Sequence, residues 1–218
     1  MTRGAGEPPA GPWRVVPIGG LLELVLDHGV APAGRPWIVA VDGRAGSGKS
    51  TLADRLCLGI PNAAVVHTDD FIGHSFFGWT DLLVEGVLRP LRAGSPVQYI
   101  PPAGDLYGQL KRITVSAGLY LVVVEGVGAS RHALSPWIDR SVWIQADVEE
   151  AERRWIARDG GPEEVGSLAG AWMAEEVAFL ARDRPWERAS LFIAGTSSQP
   201  HDRATEVLVA PVLPVRSG

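Results

Sequence analysis

The sequence predicts an α/β protein built on a five-stranded, doubly wound parallel sheet with helices on both faces. Five short apolar runs, rich in Val and Ile, occur at wide intervals along the 218 residues. They are continuously apolar rather than alternating, which is typical of strands buried on both faces of a parallel sheet. Helical stretches separate them, and this alternation of strand and helix favours the α/β class. The predicted strands are residues 37–41, 63–67, 119–124, 141–145 and 190–194.

The remaining elements follow from local sequence patterns. Residues 1–14 are rich in Gly and Pro and are expected to form a flexible tail, with residues 15–218 as a single domain. Apolar residues between Leu21 and Leu26 recur at helical spacing, so a short helix is expected over residues 18–28. Further helices are expected at residues 50–58, 81–93, 148–158 and 169–182, and residues 207–210 are a candidate edge strand.

Composition and charge narrow the class of function. The net charge of −5 disfavours a general nucleic-acid binder, which needs a basic face. No apolar run reaches the ~18–20 residues of a membrane-spanning helix, and the first residues lack the apolar core of a secretory signal. Since Cys57 is the one cysteine, no internal disulfide can form, and we expect a cytoplasmic protein with no nucleic-acid or membrane partner. The 20 basic residues include only two lysines, Lys49 and Lys111, so their positions are informative.

A glycine-rich loop follows the first predicted strand and precedes a predicted helix. Residues 43–50, Gly-Arg-Ala-Gly-Ser-Gly-Lys-Ser, fit the pattern G-x-x-x-x-G-K-[ST] of the phosphate-binding P-loop. A shuffled chain of this composition would match roughly 0.003 times by chance. Glycines let the backbone wrap a phosphate closely, and the loop amides and the positive end of the following helix face the anion. Lys49 is expected to reach the β- and γ-phosphates and Ser50 to ligate Mg²⁺. The predicted nucleotide-binding residues are therefore Gly43, Arg44, Ala45, Gly46, Ser47, Gly48, Lys49, Ser50 and Thr51.

Acidic residues follow the second and third predicted strands. Asp69 and Asp70 come just after residues 63–67, and Glu125 follows residues 119–124 directly. Because ligands of parallel sheets bind beyond the carboxyl ends of the strands, these acids are expected near the γ-phosphate. There an aspartate would act as general base, and Asp69 and Glu125 would contact Mg²⁺ or its water. The alternatives are an aspartate that only caps a turn and a glutamate that is an ordinary surface acid.

Two arginines, Arg154 and Arg158, lie four residues apart and so on one face of the helix predicted at residues 148–158. Arginines on a segment that closes over the site would stabilise the charge that develops during phosphoryl transfer, so both are candidate catalytic residues. The Gly- and Pro-containing stretch that follows has the composition of a mobile lid, assigned to about residues 153–170. The alternative is that these arginines form surface ion pairs with neighbouring acids.

Together these motifs resemble those of the uridine kinase family, and pantothenate kinases share related versions of the second and third. They lie in the family's order within residues 36–195: Val-Asp-Gly-Arg-Ala-Gly-Ser-Gly-Lys-Ser-Thr, Thr68-Asp69-Asp70-Phe71, Val-Val-Glu125-Gly126 and Arg154…Arg158-Asp159. The resemblance implies a P-loop NTPase fold with strand order 2-3-1-4-5 and a lid, and ATP and Mg²⁺ as cofactors. It implies that Asp69 is the catalytic acid-base residue.

The acceptor region departs from the family pattern. Uridine kinases carry a Tyr-Asp-Phe cluster followed by His and Arg, and the nearest stretch here is residues 104–112, which contains Asp105 and Arg112. We therefore predict an ATP- and Mg²⁺-dependent phosphotransferase acting on a hydroxyl group of a small-molecule acceptor, with the acceptor left open. The candidate acceptor-binding residues are Asp70, Phe71, Tyr99, Asp105 and Arg112. The aromatic cluster of residues 71–79, which includes Phe71, could stack on a nucleobase acceptor, and the alternative is that it covers the core.

Two other functions stay open from the sequence. A nucleoside monophosphate kinase would need arginines near the acceptor phosphate, for which Arg89, Arg92 and Arg112 are the candidates. A non-catalytic, regulatory ATP-binding protein would bind nucleotide tightly without acceptor-dependent turnover. The sequence leaves homo-oligomerisation open as well.

Overall fold

The computed structural model describes residues 1–211 apart from residues 28, 74, 103, 106, 107, 160 and 161, and the side chains of residues 159–169 lie outside the described part. The strands are β1 (Arg14–Pro17), β2 (Trp37–Gly43), β3 (Ala63–His67), β4 (Val97–Tyr99), β5 (Ile113–Val115), β6 (Leu121–Glu125), β7 (Arg140–Gln145), β8 (Leu191–Ala194) and β9 (Glu206–Pro211). The α-helices are α1 (Ile18–Leu26), α2 (Lys49–Leu58), α3 (Thr80–Leu83), α4 (Arg89–Arg92), α5 (Val148–Asp159) and α6 (Pro162–Asp183). A π-helical turn spans Val84–Leu88, and 3₁₀ turns span Thr68–Phe71, His132–Leu134 and Pro185–Arg188.

The central sheet is mainly parallel. Its strands lie in the order β1-β9-β8-β7-β2-β6-β3. The five strands from β8 to β3 pair in parallel, and numbered along the chain they lie side by side as 2-3-1-4-5. The α/β class is confirmed. The strand expected at residues 207–210 is present as β9, but it lies between β8 and β1 rather than at the edge of the sheet. In the described part of the chain the sheet has seven strands rather than five, because β9 and β1 extend one edge as antiparallel strands.

Both faces of the sheet are covered, which explains why its strands are continuously apolar. Strand β2 is buried at every residue. Helices α1 and α2 cover one face with side chains that include Leu21 and Leu52. The other face packs against Trp79, Leu88 and Trp186, which come from the segment after β3 and from the turn after α6. This sandwich buries the sheet and leaves the carboxyl ends of its strands to form the site.

The helix expected at residues 81–93 is interrupted. Helical turns run from Thr80 to Arg92, but the middle of the run is a π-helical turn. Pro90, the second residue of α4, lacks the backbone N–H that a regular helical ladder needs. The hairpin of β4 and β5 comes next and was not predicted, because strands of three residues leave no periodic pattern.

The N-terminal segment, expected from its composition to be a flexible tail, makes specific contacts with the domain. The backbone N–H of Thr2 donates to the Asp147 carboxylate at 2.5 Å, and that of Ala10 donates to the Gln145 side-chain oxygen at 3.0 Å. Between them, Glu7 is only 6% exposed. Each of these hydrogen bonds joins a backbone N–H to a polar side chain more than 130 positions away in the sequence. The composition of the segment therefore cannot reveal them.

The predicted lid, residues 153–170, joins α5 to α6. Both of its ends are helical, while residues 160–161 and the side chains of residues 159–169 lie outside the described part of the chain. Helix α6 begins at Pro162, earlier than the expected residue 169. Neither α6 nor any other described helix is long and apolar enough to cross a membrane.

Candidate active site

The glycine-rich loop connects β2 to α2 at the carboxyl edge of the sheet, and its glycines adopt conformations that other residues rarely adopt. Gly46 and Gly48 have φ angles of +73° and +100°. A Cβ on Gly46 would overlap the Ala151 carbonyl of α5, and a Cβ on Gly43 would lie 2.7 Å from Ser47 Oγ. The loop therefore needs glycine both for its backbone path and for its close contact with α5.

Two loop side chains have specific partners within the site. The Lys49 ammonium is buried and donates to the Arg44 carbonyl at 2.9 Å. The Ser50 hydroxyl donates to Glu125 Oε1 at 3.2 Å. Both residues belong to the first turn of α2, whose free N–H groups and positive dipole end favour a bound anion. This geometry is suited to phosphate groups.

Glu125, the last residue of β6, lies at the centre of the carboxyl edge. It is 3% exposed, and its Oε1 lies 2.5 Å from His67 Nδ1 at the end of β3. Its other oxygen has no hydrogen-bond partner in the described part of the structure. Burial alone would raise the pKa of Glu125, but the hydrogen bond from His67 and the charge of Lys49 outweigh it and hold the pKa below its usual value. The hydrogen bond to Glu125 in turn raises the pKa of His67.

Asp69 lies in the 3₁₀ turn that follows β3. Its side chain is accessible to solvent at the carboxyl edge, yet the surrounding protein raises its pKa by desolvation. The positive charges of Lys49 and Arg158 lower that pKa, while the charge of Glu125 raises it further. Asp69 therefore lies within electrostatic range of Lys49, Glu125 and Arg158.

Arg154 lies on α5 beside the loop. Its Nε donates to Glu150 at 2.7 Å, as the ion-pair alternative expected, and its Nη1 donates to the Gly195 carbonyl at 2.9 Å. A cavity of about 230 Å³ opens next to it, and we call this the loop-side cavity. Its lining includes Ser47, Gly48, Thr51, Arg154, Gly195, Ser197, His201 and Arg203. Arg154 thus borders a cavity that begins at the glycine-rich loop.

The candidate acceptor residues separate into two groups. The first group is Asp70 and Asp105, which share a partner: Lys111 Nζ lies 3.1 Å from Asp70 Oδ1 and 3.3 Å from Asp105 Oδ2. Phe71 does not belong with them, because it is 1% exposed and stacks on the Tyr99 ring with centroids 6.1 Å apart. The ring of Phe71 therefore covers the core, which was the alternative to stacking on the acceptor. Tyr99 packs against it from β4, and Arg112 is exposed, with no contact to another described residue that would place it in the site.

Two buried acids that sequence reasoning did not assign to the site hold the loop in place. Asp42 is fully buried in β2 and accepts hydrogen bonds from the backbone N–H groups of Gly43, Gly128 and Ser130, at 2.8 to 2.9 Å, and from the Ser130 hydroxyl at 2.7 Å. Glu176 of α6 accepts from the Ala45 N–H at 2.7 Å. An acid inside an apolar strand was a detectable signal for Asp42, whereas Glu176 reaches the loop from 131 residues away.

Fold and site together define a protein with a P-loop on a doubly wound α/β sheet. Solved structures share this fold. A possible uridine kinase from Bacillus stearothermophilus matches with a TM-score of 0.55 and 20% identity, covering 80% of this chain and 96% of that one. A candidate fructose transport system kinase from Silicibacter sp. matches with a TM-score of 0.56 and 21% identity, covering 77% and 93%.

The resemblance to uridine kinase-like P-loop kinases is thus confirmed at the level of the fold. No protein-family model matches the sequence, and no curated protein matches it either.

Proposed function

We propose that the protein is a small-molecule kinase that transfers the γ-phosphoryl group of ATP to a hydroxyl group. The observation that carries this proposal is the geometry at the carboxyl edge: Lys49 and Ser50 lie in the first turn of α2, Ser50 donates to Glu125 at 3.2 Å, and Asp69 follows the neighbouring strand β3. A general base must lie beside the groups that hold the transferred phosphate, and this arrangement meets that requirement. The kinase folds of the two structural neighbours are consistent with it.

The P-loop residues Gly43 to Thr51 would bind ATP, with the triphosphate on the loop amides and the first turn of α2. The remainder of the nucleotide fits the loop-side cavity, which begins at Ser47 and Gly48 and extends to Arg154. Arg154 would then contact the nucleotide from α5.

The residues present also fit a magnesium ion. Mg²⁺ in kinases is usually bound by one or two protein ligands together with phosphate and water oxygens. Ser50 and Glu125 supply such a pair, and the buried Glu125 oxygen without a partner is the acceptor that a metal-bound water needs. Asp69, predicted as a further ligand, is accessible beside them. When bound, Mg²⁺ neutralises charge on the β- and γ-phosphates.

In the proposed reaction the acceptor hydroxyl oxygen forms a bond to the γ-phosphorus, and the bond from that phosphorus to the β–γ bridging oxygen breaks. Asp69 accepts the proton of the hydroxyl. Lys49 stabilises the charge on the leaving β-phosphate, and Arg154 and Arg158 stabilise the transferred group. The raised pKa of Asp69 makes it a stronger base than a freely solvated aspartate.

The charges beside Asp69 support a neutral, hydroxyl-rich acceptor. Asp70 and Asp105 are carboxylates that accept hydrogen bonds from hydroxyl groups, and Lys111 already pairs with both. Two of the three arginines that a nucleoside monophosphate kinase would need are engaged elsewhere. Arg89 pairs with Glu85 and lies over Trp137, and Arg92 pairs with Asp139.

The test is release of ADP from ATP and Mg²⁺ over a panel of nucleosides, sugars, small polyols, pantothenate and nucleoside monophosphates. Asp69→Asn and Asp70→Asn make the same chemical change at adjacent positions. We expect Asp69→Asn to lower kcat by about 100- to 10,000-fold, the usual contribution of a general base. Asp70→Asn should raise the acceptor KM and change kcat far less, and Lys49→Ala should abolish turnover.

Three results would contradict this proposal. Full activity in Asp69→Asn with loss in Asp70→Asn would reassign the base. Turnover only with nucleoside monophosphates would favour the anionic acceptor. Tight ATP binding without turnover on any acceptor would favour the regulatory nucleotide-binding protein.

A further inference from the structure

Residues 1–13, called here the N-terminal strap, run along the carboxyl edge of the sheet beside the P-loop. The Thr2 N–H donates to Asp147 at 2.5 Å, and the Thr2 carbonyl accepts from the Val148 N–H at 3.0 Å, which fixes the strap to the start of α5. The Ala10 N–H donates to Gln145 at the end of β7. The strap is therefore attached at both ends to elements that surround the nucleotide site.

Glu7 is the buried centre of the strap. Its Oε1 accepts from Trp143 Nε1 at 2.7 Å and from Gln145 Nε2 at 3.1 Å, and its Oε2 lies 3.6 Å from the Arg44 guanidinium. A carboxylate this buried is unfavourable unless it is hydrogen-bonded and paired. Arg44 is the cation that pairs with it, and Arg44 is the second residue of the P-loop.

The strap backbone also fits around Arg44. A Cβ on Gly4 would overlap the guanidinium, so Arg44 packs directly on the glycine backbone. Arg44 is 7% exposed, and its Nε has no hydrogen-bond partner among the described residues. The strap thus supplies both the counter-charge and the surface that hold this side chain.

Arg44 connects the strap to the phosphate-binding lysine. Its side chain pairs with Glu7, and its carbonyl oxygen accepts from Lys49 Nζ at 2.9 Å. Whatever fixes the Arg44 side chain therefore also restricts the carbonyl that holds the Lys49 ammonium.

The ends of the strap also border an open cavity of about 650 Å³ that adjoins the loop-side cavity. The two cavities share Arg154, Ser197 and Arg203. Met1 and Trp13 line the strap's side of it. A nucleotide that extends past Arg154 would meet the strap there.

We propose that the N-terminal strap is part of the nucleotide site, and that Glu7 is a positioning residue for Arg44 and, through it, for Lys49. This inference rests on the proposed function, because it assumes that the P-loop binds ATP. It assigns a binding role to a segment whose composition indicates a flexible tail.

The test is the affinity for ATP with Mg²⁺, measured by titration calorimetry on the full chain for wild type, Glu7→Gln, Arg44→Gln and the double variant. Gln keeps an oxygen for Trp143 and Gln145, and it removes the charge together with the oxygen that accepts from the Gly4 N–H at 3.2 Å. We expect Glu7→Gln to weaken ATP binding by about three- to tenfold, as expected for loss of one charge-assisted contact. In the Arg44→Gln background the same change should have little further effect, because its partner is already gone. Glu23→Gln, the same change on the exposed surface of α1, should bind like wild type.

Thermal unfolding of each variant separates loss of folding from loss of binding. Should Glu7→Gln fail to fold, Gly4→Ala keeps Glu7 and displaces the Arg44 side chain, and it should weaken ATP binding as well. Wild-type affinity in Glu7→Gln or Gly4→Ala, or additive losses in the double variant, would overturn the positioning role alone. A wild-type protein that binds no ATP would overturn the proposed function too.

Discussion

Glu176 offers a test of how α6 supports the P-loop, because two substitutions separate its hydrogen bond from its charge. The Ala45 N–H donates to Glu176 Oε1 at 2.7 Å, and Glu176 is 6% exposed. Glu176→Gln retains an oxygen in that place and removes the charge. Glu176→Ala removes the charge and leaves the N–H without its acceptor.

The difference in stability between these two variants follows from the contacts. An unsatisfied buried N–H costs about 1–3 kcal/mol, and the lost methylene of Glu176 contributes about 0.8 kcal/mol more. Because both variants lose the charge, Glu176→Ala should be less stable than Glu176→Gln by about 2–4 kcal/mol. For a chain of this length that difference lowers Tm by about 4–15 °C.

The hydrogen bond of Glu176 stabilises the folded protein, whereas its buried negative charge destabilises it. Burial raises the pKa of Glu176 above its ordinary value of 4.5. Between the pKa of Glu176 in the unfolded chain and its raised pKa in the folded protein, the unfolded chain loses the Glu176 proton first as pH rises. The contribution of Glu176 to the free energy of unfolding therefore falls with rising pH. At pH 7 Glu176→Gln should therefore be at least as stable as wild type. It should also bind ATP at least as tightly, since one negative charge near the phosphates is gone.

Urea unfolding and ATP titration measure both effects. The controls are Glu175→Gln and Glu175→Ala, the same changes at the exposed neighbouring residue, which should stay within about 0.5 kcal/mol of wild type. If Glu176→Gln lost as much stability as Glu176→Ala, the hydrogen bond to the loop would not be the stabilising contact. If only ATP affinity fell in Glu176→Gln, the charge would have a role opposite to the one argued.

Two further predictions concern pH. Asp139 accepts from Arg35 and Arg92, each at 2.7 Å, and these partners lower its pKa against the effect of burial. Urea unfolding at pH 7 should therefore show that Asp139→Asn lowers the free energy of unfolding by about 2–4 kcal/mol. That loss should shrink as pH falls through the lowered pKa, where the wild-type carboxyl is protonated, and a pH-independent loss would contradict the ion-pair account. In kcat–pH profiles the acid limb should lie above the ordinary aspartate pKa of 3.8, because burial raises the pKa of Asp69 and the base must be ionised. Arg158→Gln should move that limb to higher pH, since Arg158 lowers the same pKa, and a limb at lower pH would argue against Asp69 as the base.

The parts of the site carried by the backbone were predictable from the sequence. The P-loop is a continuous motif whose glycines follow from its own backbone path, so Gly46 and Gly48 appear where the pattern requires them. The convergence of Asp69 and Glu125 followed from one rule, that the carboxyl ends of parallel strands meet at one edge.

The parts that the sequence left open depend on burial and on distant contacts. Phe71 belongs to an aromatic cluster that could stack on an acceptor or cover the core, and the 3₁₀ turn directs its ring into the core. Lys111 is one of only two lysines, but the sequence does not show that it pairs with Asp70 and Asp105. That pairing depends on the fold, which places the segment before β5 beside the end of β3. Local sequence patterns carry no information on contacts between residues that are far apart in the sequence.

Besides Glu125, which contacts Ser50, three buried carboxylates lie against the glycine-rich loop, and their placement is compatible with the proposed binding of an anion there. Asp42 accepts from the Gly43 N–H, Glu176 from the Ala45 N–H, and Glu7 pairs with Arg44, so all three act on the first half of the loop. The second half, which leads into the first turn of α2, keeps its N–H groups for phosphate. Fixing the first half in advance lowers the ordering entropy that nucleotide binding would otherwise cost. Under the proposed function these three acids would shape the first half of the loop, while the loop amides and Lys49 would face the polyanion, so a negative net charge is compatible with nucleotide binding.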